Sequence, residues 1–379
     1  MIQGIKSYIG QKLVNLQGWK TSRRIIVIES DDWGGISMPS KDVYNTLLKS
    51  GIGVDKNPYA KYDSLASASD LEILFETLSK YKDKYGNTPV ITANTNVANP
   101  DFEKIKQSGF EEYIYEPFTK TLERYPEHSN AFALWQQGMA QKVFVPQFHG
   151  REHLNPLLWL NELKEGKNPK LQLAFNLGCF NLSKDGFLQK SKIYNTAFYP
   201  YNEEQRAAMF KAIPDGLNLF EEQIGYRAES FIATGYFWNS EIEKLLSENG
   251  ITSLQGLPIQ KEPKIAQKHG KKLNYTGKYN KYGQLYLVRN AFFEPSLYPG
   301  TDNVADCLKR IQTAFDNKKP AILSSHRLNF IGYIDEANRT RNIALLNELL
   351  AGIVKKWPDA EFMSSNQLAQ IINAKKNGR

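Results

Sequence analysis

Five histidines occur in the 379 residues, His128, His149, His153, His269 and His326, and three of them stand where chemistry could be done. The stretch His149-Gly150-Arg151-Glu152-His153 sets two imidazoles four positions apart. If it opens a helix, both rings share one face and can bind one metal ion. Its glutamate does not follow the first histidine, so the H-E-x-x-H pattern of the zincins is not met. Asp31-Asp32 comes directly after an apolar run. Adjacent carboxylates repel and call for a positive group nearby; a turn or helix cap is the plain alternative. Leu323-Ser324-Ser325-His326 closes another apolar run. One aspartate and two histidines leave a metal with positions open for water and substrate, which is a catalytic arrangement and not a closed structural one. The second aspartate can then take a proton and the distant histidine can give one. That division of labour suits metal-assisted hydrolysis of an acyl bond.

The elements that must position these groups alternate along the chain. Strands are predicted at 24–28, 89–92, 142–145, 224–232, 251–254, 285–293 and 321–324, as short β-branched or apolar runs. Helices are predicted from a capping box at Ser69-Asp70-Leu71-Glu72 to about Lys84, near 101–107, over 156–164, from a second box at Ser240-Glu241-Ile242-Glu243 to Gly250, and over 341–355. Glu361-Phe362-Met363 and a terminal helix close the pattern. Strand–loop–helix repetition argues for parallel β/α architecture, and the polar clusters fall just after the strands, where a β/α barrel places its site. Residues 1–23 read as an amphipathic helix, with Ile2, Ile5, Ile9, Leu13 and Leu16 at helical spacing and Lys6, Lys12 and Lys20 on the polar face. It docks on the domain or touches a membrane peripherally. Residues 24–379 read as a single barrel with an insertion around 165–215.

Composition narrows the function classes. The chain is 41% hydrophobic and 23% charged, with a mean hydropathy of -0.49, which fits a globular domain with a sizeable core. No apolar run is long enough to span a membrane. Cys179 and Cys307 are the only cysteines, which excludes a disulfide framework and a CxxC zinc site. No secretory signal pattern opens the chain, so the expected compartment is the cytoplasm. The net charge of +8 is concentrated: the stretch 261–281 holds seven lysines and one acid. With Tyr275, Tyr279 and Tyr282 interleaved it has the texture of an anionic-polymer groove or of a solvated hairpin, and no nucleic-acid motif accompanies it.

In this order and placement the motifs resemble those of the polysaccharide deacetylase family (NodB-like, carbohydrate esterase family four). The resemblance spans about residues 24–372, with long insertions. It implies a distorted (β/α)7-8 barrel and a divalent metal, zinc foremost, held by Asp-His-His. Glu29-Ser30-Asp31-Asp32-Trp33 is similar to the T-F-D-D-[GA] motif in its Asp pair, implying Asp31 as general base and Asp32 as ligand. The spacing of His149 and His153 matches H-[ST]-x-x-H, implying the other two ligands, with Gly150 in place of the hydroxyl residue. Arg227-Ala228-Glu229-Ser230 resembles R-x-P-x without its proline, implying that Arg227 pairs with Asp31. Leu323 to His326 matches L-x-x-H, implying His326 as general acid. The motif that supplies an acid to tune this histidine has no match, since Ser253-Leu254-Gln255-Gly256 occupies its expected strand end.

The activity so implied is removal of acetyl groups from a carbohydrate. A non-catalytic carbohydrate-binding relative and a glycoside hydrolase on a related barrel are the alternatives, the latter requiring a carboxylate pair astride the sugar bond. Trp33, Tyr236 and Trp238 beside the motif loops could stack on a sugar ring, and Asn94, or its neighbour Asn96, could hydrogen-bond it. Core packing and turn formation compete with these roles. The expected partner is an acetylated carbohydrate, not nucleic acid. His128 falls in a predicted exposed loop, and His269 receives no role.

Overall fold

The structure, a computed structural model, describes residues 14–180, 194–265 and 267–377. Nine parallel strands carry it: β1 Arg24–Trp33, β2 Ile91–Asn96, β3 Phe144–Gly150, β4 Ser230–Phe231, β5 Ser253–Gly256, β6 Leu285–Val288, β7 Ala291–Phe292, β8 Ala321–His326 and β9 Ala360–Phe362. Their order is β6-β5-β4-β3-β2-β1-β8-β7, with β9 beside the first half of β1. The two ends of that order are one stretch of chain. β6 pairs with β5, Arg289 N–H donates to the Gly256 carbonyl, Asn290 N–H donates to the Ile322 carbonyl, and β7 pairs with β8. The run 285–292 therefore bridges both edges and closes the sheet into a distorted β/α barrel. Closure removes the exposed edges an open sheet would present.

Burial on both faces explains the composition of the central strands. Ile25, Ile26, Val27 and Ile28 are all buried, as are Ala321, Ile322 and Leu323 in β8, as expected where helices cover a parallel sheet. Helices Ala131–Ala140, Glu203–Ile224, Asn303–Asp316, Glu336–Lys356 and Ser365–Asn377 form the outer layer. Among the described residues between β3 and β4, the helices Pro156–Glu165, Pro169–Asn176 and Glu203–Ile224 join their apolar faces to the main core. The expected helix at the N-terminus falls largely in residues 1–13, outside the described residues. From residue 14 the chain is tied to the barrel, with Lys319 Nζ donating to the carbonyls of Gln17, Gly18 and Trp19.

Several boundaries differ from expectation. The strands run further than their apolar cores: β1, β2 and β3 continue through Asp32, Asn96 and His149. The first capping box is set by Ser67, not Ser69. Ser67 Oγ accepts from Asp70 N–H while Asp70 accepts from Ser67 N–H, and the helix ends at Ser79. Ser240 makes no cap, because its hydroxyl is spent on Glu262 and Lys272 of the neighbouring ribbon. The strand predicted over 224–232 shrinks to two residues, because the preceding helix, capped by Asn202, runs to Ile224 and stops at Gly225 with φ 87, a left-handed C-cap. The basic stretch is an antiparallel ribbon, Ile259–Glu262 against Gly270–Leu273. His128 is buried beside Tyr333 and Tyr125. Among the described residues no helix is long and apolar enough to cross a membrane.

Candidate metal centre

Strand alternation sends consecutive side chains to opposite faces, yet Asp31 and Asp32 both reach the barrel interior. A bulge allows it. The β1–β2 register slips between Ser30 and Trp33, and Asp32 takes φ 74. A non-glycine residue in that region is strained, and such strain is held where surrounding contacts over-determine it. A second slip lies in the next strand pair, between Thr95 and Asn96 of β2, where β3 passes over His149 and resumes at Gly150, φ 132. The helix expected to align His149 and His153 does not start until Pro156. His149 is a strand residue, the chain turns at Gly150, and His153 comes back from the loop. The two imidazoles converge by a turn and not by a helical period.

His153 Nε2 lies 3.1 Å and His149 Nε2 3.3 Å from Asp32 Oδ1, and the three candidate ligand atoms fall within 4.8 Å of one another. His149 Nδ1 is 2.9 Å from the Ile232 carbonyl, which can only accept, so that nitrogen carries the proton. Its Nε2 is then the atom turned toward the Asp32 carboxylate, where a bound cation would lie between them. Five buried carboxylates (Glu29, Asp31, Asp32, Asp63, Glu294) surround the centre, against the two buried arginines Arg289 and Arg327, so further positive charge, from protonated imidazole or a bound cation, is needed there. The same field acts on His153. Burial lowers its pKa, but Asp32 overcomes this and the net shift is upward.

Asp31 is held by four donors. Arg289 Nη2 reaches Oδ1 at 2.6 Å and Nη1 reaches Oδ2 at 2.7 Å. Asn94 Nδ2 lies 2.8 Å from Oδ1 and the Tyr236 hydroxyl 3.1 Å from Oδ2. Burial would raise this carboxyl, but Arg289 outweighs it and holds Asp31 well below the usual carboxylate range. Arg289 Nε also binds Glu29 Oε2 at 2.6 Å. Glu29 stands above its ordinary value because its burial outweighs the arginine. His326 Nδ1 is 2.7 Å from Glu294 Oε1, while Nε2 faces the Tyr59 hydroxyl at 3.3 Å and Asp31 Oδ2 at 3.8 Å. Desolvation lowers the His326 pKa, yet Glu294, Asp32 and Asp31 push it up to about 10.

Four expected site residues are placed elsewhere. Arg227 is 58% exposed and paired with Glu221, away from Asp31; the cation on Asp31 is Arg289, delivered by the barrel closure. Trp33 is fully buried, edge-on to Trp135 and Phe144, with its N–H on Ser30 Oγ. Trp238 is buried against Glu243 and Gly256. Neither indole is open to a sugar. Asn94 is fully buried between Asp31 and Gln255, so it orients the carboxylate. Tyr236, at φ 62, remains at the site with its hydroxyl on Asp31. The sequence reading missed Arg289, Glu294, Tyr59, Asp63 and Arg327. Two had a signal. Arg289 is the single charge in the apolar run 285–293, and Glu294 is an acid at the end of that run, the same position that singled out Asp31 and His326.

Asp31, Asp32, His149, His153, Tyr236 and His326 line one cavity of about 220 Å³. Past Tyr59, Tyr236 and His326 lies a wider one of about 680 Å³, reaching Phe292, Tyr298 and Arg310.

A protein from Parabacteroides distasonis described as a glycoside hydrolase/deacetylase superposes with a TM-score of 0.50 at 9% identity, over 92% of this chain and 71% of its own. The fold is the distorted β/α barrel of the polysaccharide deacetylases. A protein from Pseudomonas aeruginosa PAO1 described as a polysaccharide deacetylase gives 0.45 at 11% identity, over 92% and 91% of the two chains. A 4-alpha-glucanotransferase from Thermococcus litoralis gives 0.44 at 10% identity over 90% of this chain, which spans only 39% of that protein's length. No protein-family model matches the sequence, and no curated protein does.

Proposed function

We propose that this chain is a metal-dependent hydrolase that removes acetyl groups from a carbohydrate. The observation that carries the reading is the convergence of Asp32, His149 and His153 on one cavity, with Asp31 and the His326–Glu294 pair beside them. A divalent ion held by that trio supplies Lewis acidity to an acyl carbonyl and to water. Zinc is the first candidate, and an Asp-His-His set discriminates weakly among divalent ions.

The chain's own groups do the rest. Asp31, held well below the usual carboxylate range by Arg289, is ionised at neutral pH and ready to accept the proton of the attacking water. The Arg289 clamp fixes its direction at the expense of basicity. His326, charged at neutral pH and oriented by Glu294, donates from Nε2 to the departing amine or alkoxide. Tyr236, strained at positive φ, keeps its hydroxyl on Asp31 and closes one side of the cavity.

Zinc-loaded protein is tested on N- and O-acetylated sugars for acetate. Acetate release that disappears on chelation and returns with zinc is expected. New reducing ends in place of acetate turn the assignment to glycoside hydrolysis. Sugar binding with no product turns it to a non-catalytic relative.

A further inference from the structure

Two side chains in the catalytic cavity have hydrogen-bonding capacity left unused among the described residues. Arg327, 1% exposed, follows β8 directly after His326. Its Nε and Nη2 clamp Asp63 at 3.0 and 2.8 Å, and its Nη1 has no partner. Asn96, fully buried at the bulge of β2, has no partner for either Oδ1 or Nδ2. Both residues line the same cavity as Asp32, His149 and His153. At Gly150, a Cβ would sit 3.3 Å from the Glu152 carbonyl and the Phe198 ring and 3.4 Å from Asn96 Nδ2, and φ 132 disfavours any other residue. Buried polar groups are nearly always satisfied, and unmet ones at a cavity wall point to an absent partner.

We infer that Arg327 Nη1 and the Asn96 amide form a specificity subsite for the hydroxyls of a neutral sugar ring bound beside the metal centre. The inference rests on the deacetylase reading and adds to it which residues grip the ring and which ligands are refused. The chemistry selects the ligand. Arg327 Nη1 offers donors only, while Asn96 offers two donors and an acceptor. A hydroxyl, donor and acceptor at once, satisfies either. Asp63 already cancels the charge of Arg327. A carboxylate or phosphate on the ring would therefore enter as an uncompensated charge. An acetyl compound without hydroxyls would leave these groups unpaired, and a site built to bond a hydroxyl rejects the analogue that lacks it. The cavity, about 220 Å³, is below the ~300 Å³ at which pockets for drug-sized ligands begin, so it suits one ring and not a chain.

The test uses the zinc-loaded full chain and equilibrium binding by calorimetry. The probes are N-acetylglucosamine, N-acetylglucosamine 6-phosphate and acetamide. Asn96→Ala removes an amide that bonds nothing among the described residues, so its melting temperature is expected to stay at or above that of the wild type. Its affinity for N-acetylglucosamine falls about 10-fold while that for acetamide is unchanged. Arg327→Lys keeps the charge opposite Asp63, lacks the Nη1 donors, and is expected to show the same selective loss. The phosphate is expected to bind more weakly than the neutral sugar. The inference is overturned if either variant binds N-acetylglucosamine within twofold of the wild type, or if both probes weaken equally with a lowered melting temperature. It is equally overturned if the phosphate binds more tightly, or if the wild type binds no sugar. Acetate release, followed in parallel, separates the two readings. Release with an unaffected Asn96→Ala keeps the deacetylase and discards the subsite. Binding that depends on Asn96 without release does the reverse.

Discussion

Replacing Arg289 with methionine removes the cation around which the site is built while roughly keeping its volume. The guanidinium donates to Glu29 Oε2 at 2.6 Å, to both Asp31 oxygens at 2.6 and 2.7 Å, to the Tyr236 hydroxyl at 3.0 Å and to Ser324 Oγ at 3.1 Å, with no exposure to solvent. Breaking a buried ion pair by removing one partner costs about 3–5 kcal/mol, because the other is left charged and desolvated. Here two carboxylates are left, so the upper end is expected, about 5 kcal/mol at pH 7. The loss must depend on pH. In the wild type the depressed pKa of Asp31 contributes stability that is present above its unfolded value of 3.8 and is lost as pH falls through the folded one. Without Arg289 that contribution vanishes, and burial alone drives Asp31 and Glu29 upward. Their charged forms then destabilise the fold at neutral pH, and protonation relieves this as pH falls. Urea unfolding of the metal-free protein at pH 7 and pH 5 measures both effects. The variant should lose less relative to the wild type at pH 5 than at pH 7. A loss under 1 kcal/mol, or an equal loss at the two pH values, would refute the account of Arg289 as the counter-charge of the site.

Three further outcomes follow from the geometry. Arg227→Ala should leave turnover unchanged and stability within about 1 kcal/mol, since its pair with Glu221 is surface-exposed; a hundredfold loss of activity would restore the role the motif resemblance gave it. His153→Ala and His149→Ala should each lose the stoichiometric zinc seen by elemental analysis while keeping the far-UV spectrum; a variant still holding one tight equivalent would remove that residue from the ligand set. Glu294→Gln takes away the main group that raises His326, so the high-pH limb of the rate profile should move to lower pH. A limb that stays in place would mean that another group is the acid.

Much of the barrel was legible because its signals are local. Short β-branched runs, capping residues and the chemistry at strand ends are all written within about ten consecutive positions. Asp31, Asp32, His149, His153 and His326 could be picked out in that way, and the structure brings all five to one cavity. Their convergence did not follow from a period in the sequence. It depends on two bulges, at Asp32 and at His149–Gly150, where register slips that only the neighbouring strands impose turn side chains inward.

What only the tertiary structure decided was partnership. Arg227 and Arg289 are both arginines close to a strand, and nothing local says which one meets Asp31. Barrel closure through the run 285–292 decides it, because both sheet edges must meet there and the residue at the seam points into the core. Trp33 and Trp238 lie beside motif residues in sequence, yet buried area outweighs adjacency and turns both rings inward. Asn94 and Asn96 are two positions apart on one strand. The first spends its amide on Asp31 and Gln255, while the second, at the bulge, meets no partner among the described residues. Local propensity fixes which residues can be polar at a strand end, whereas the long-range register of the closed sheet fixes what each of them faces.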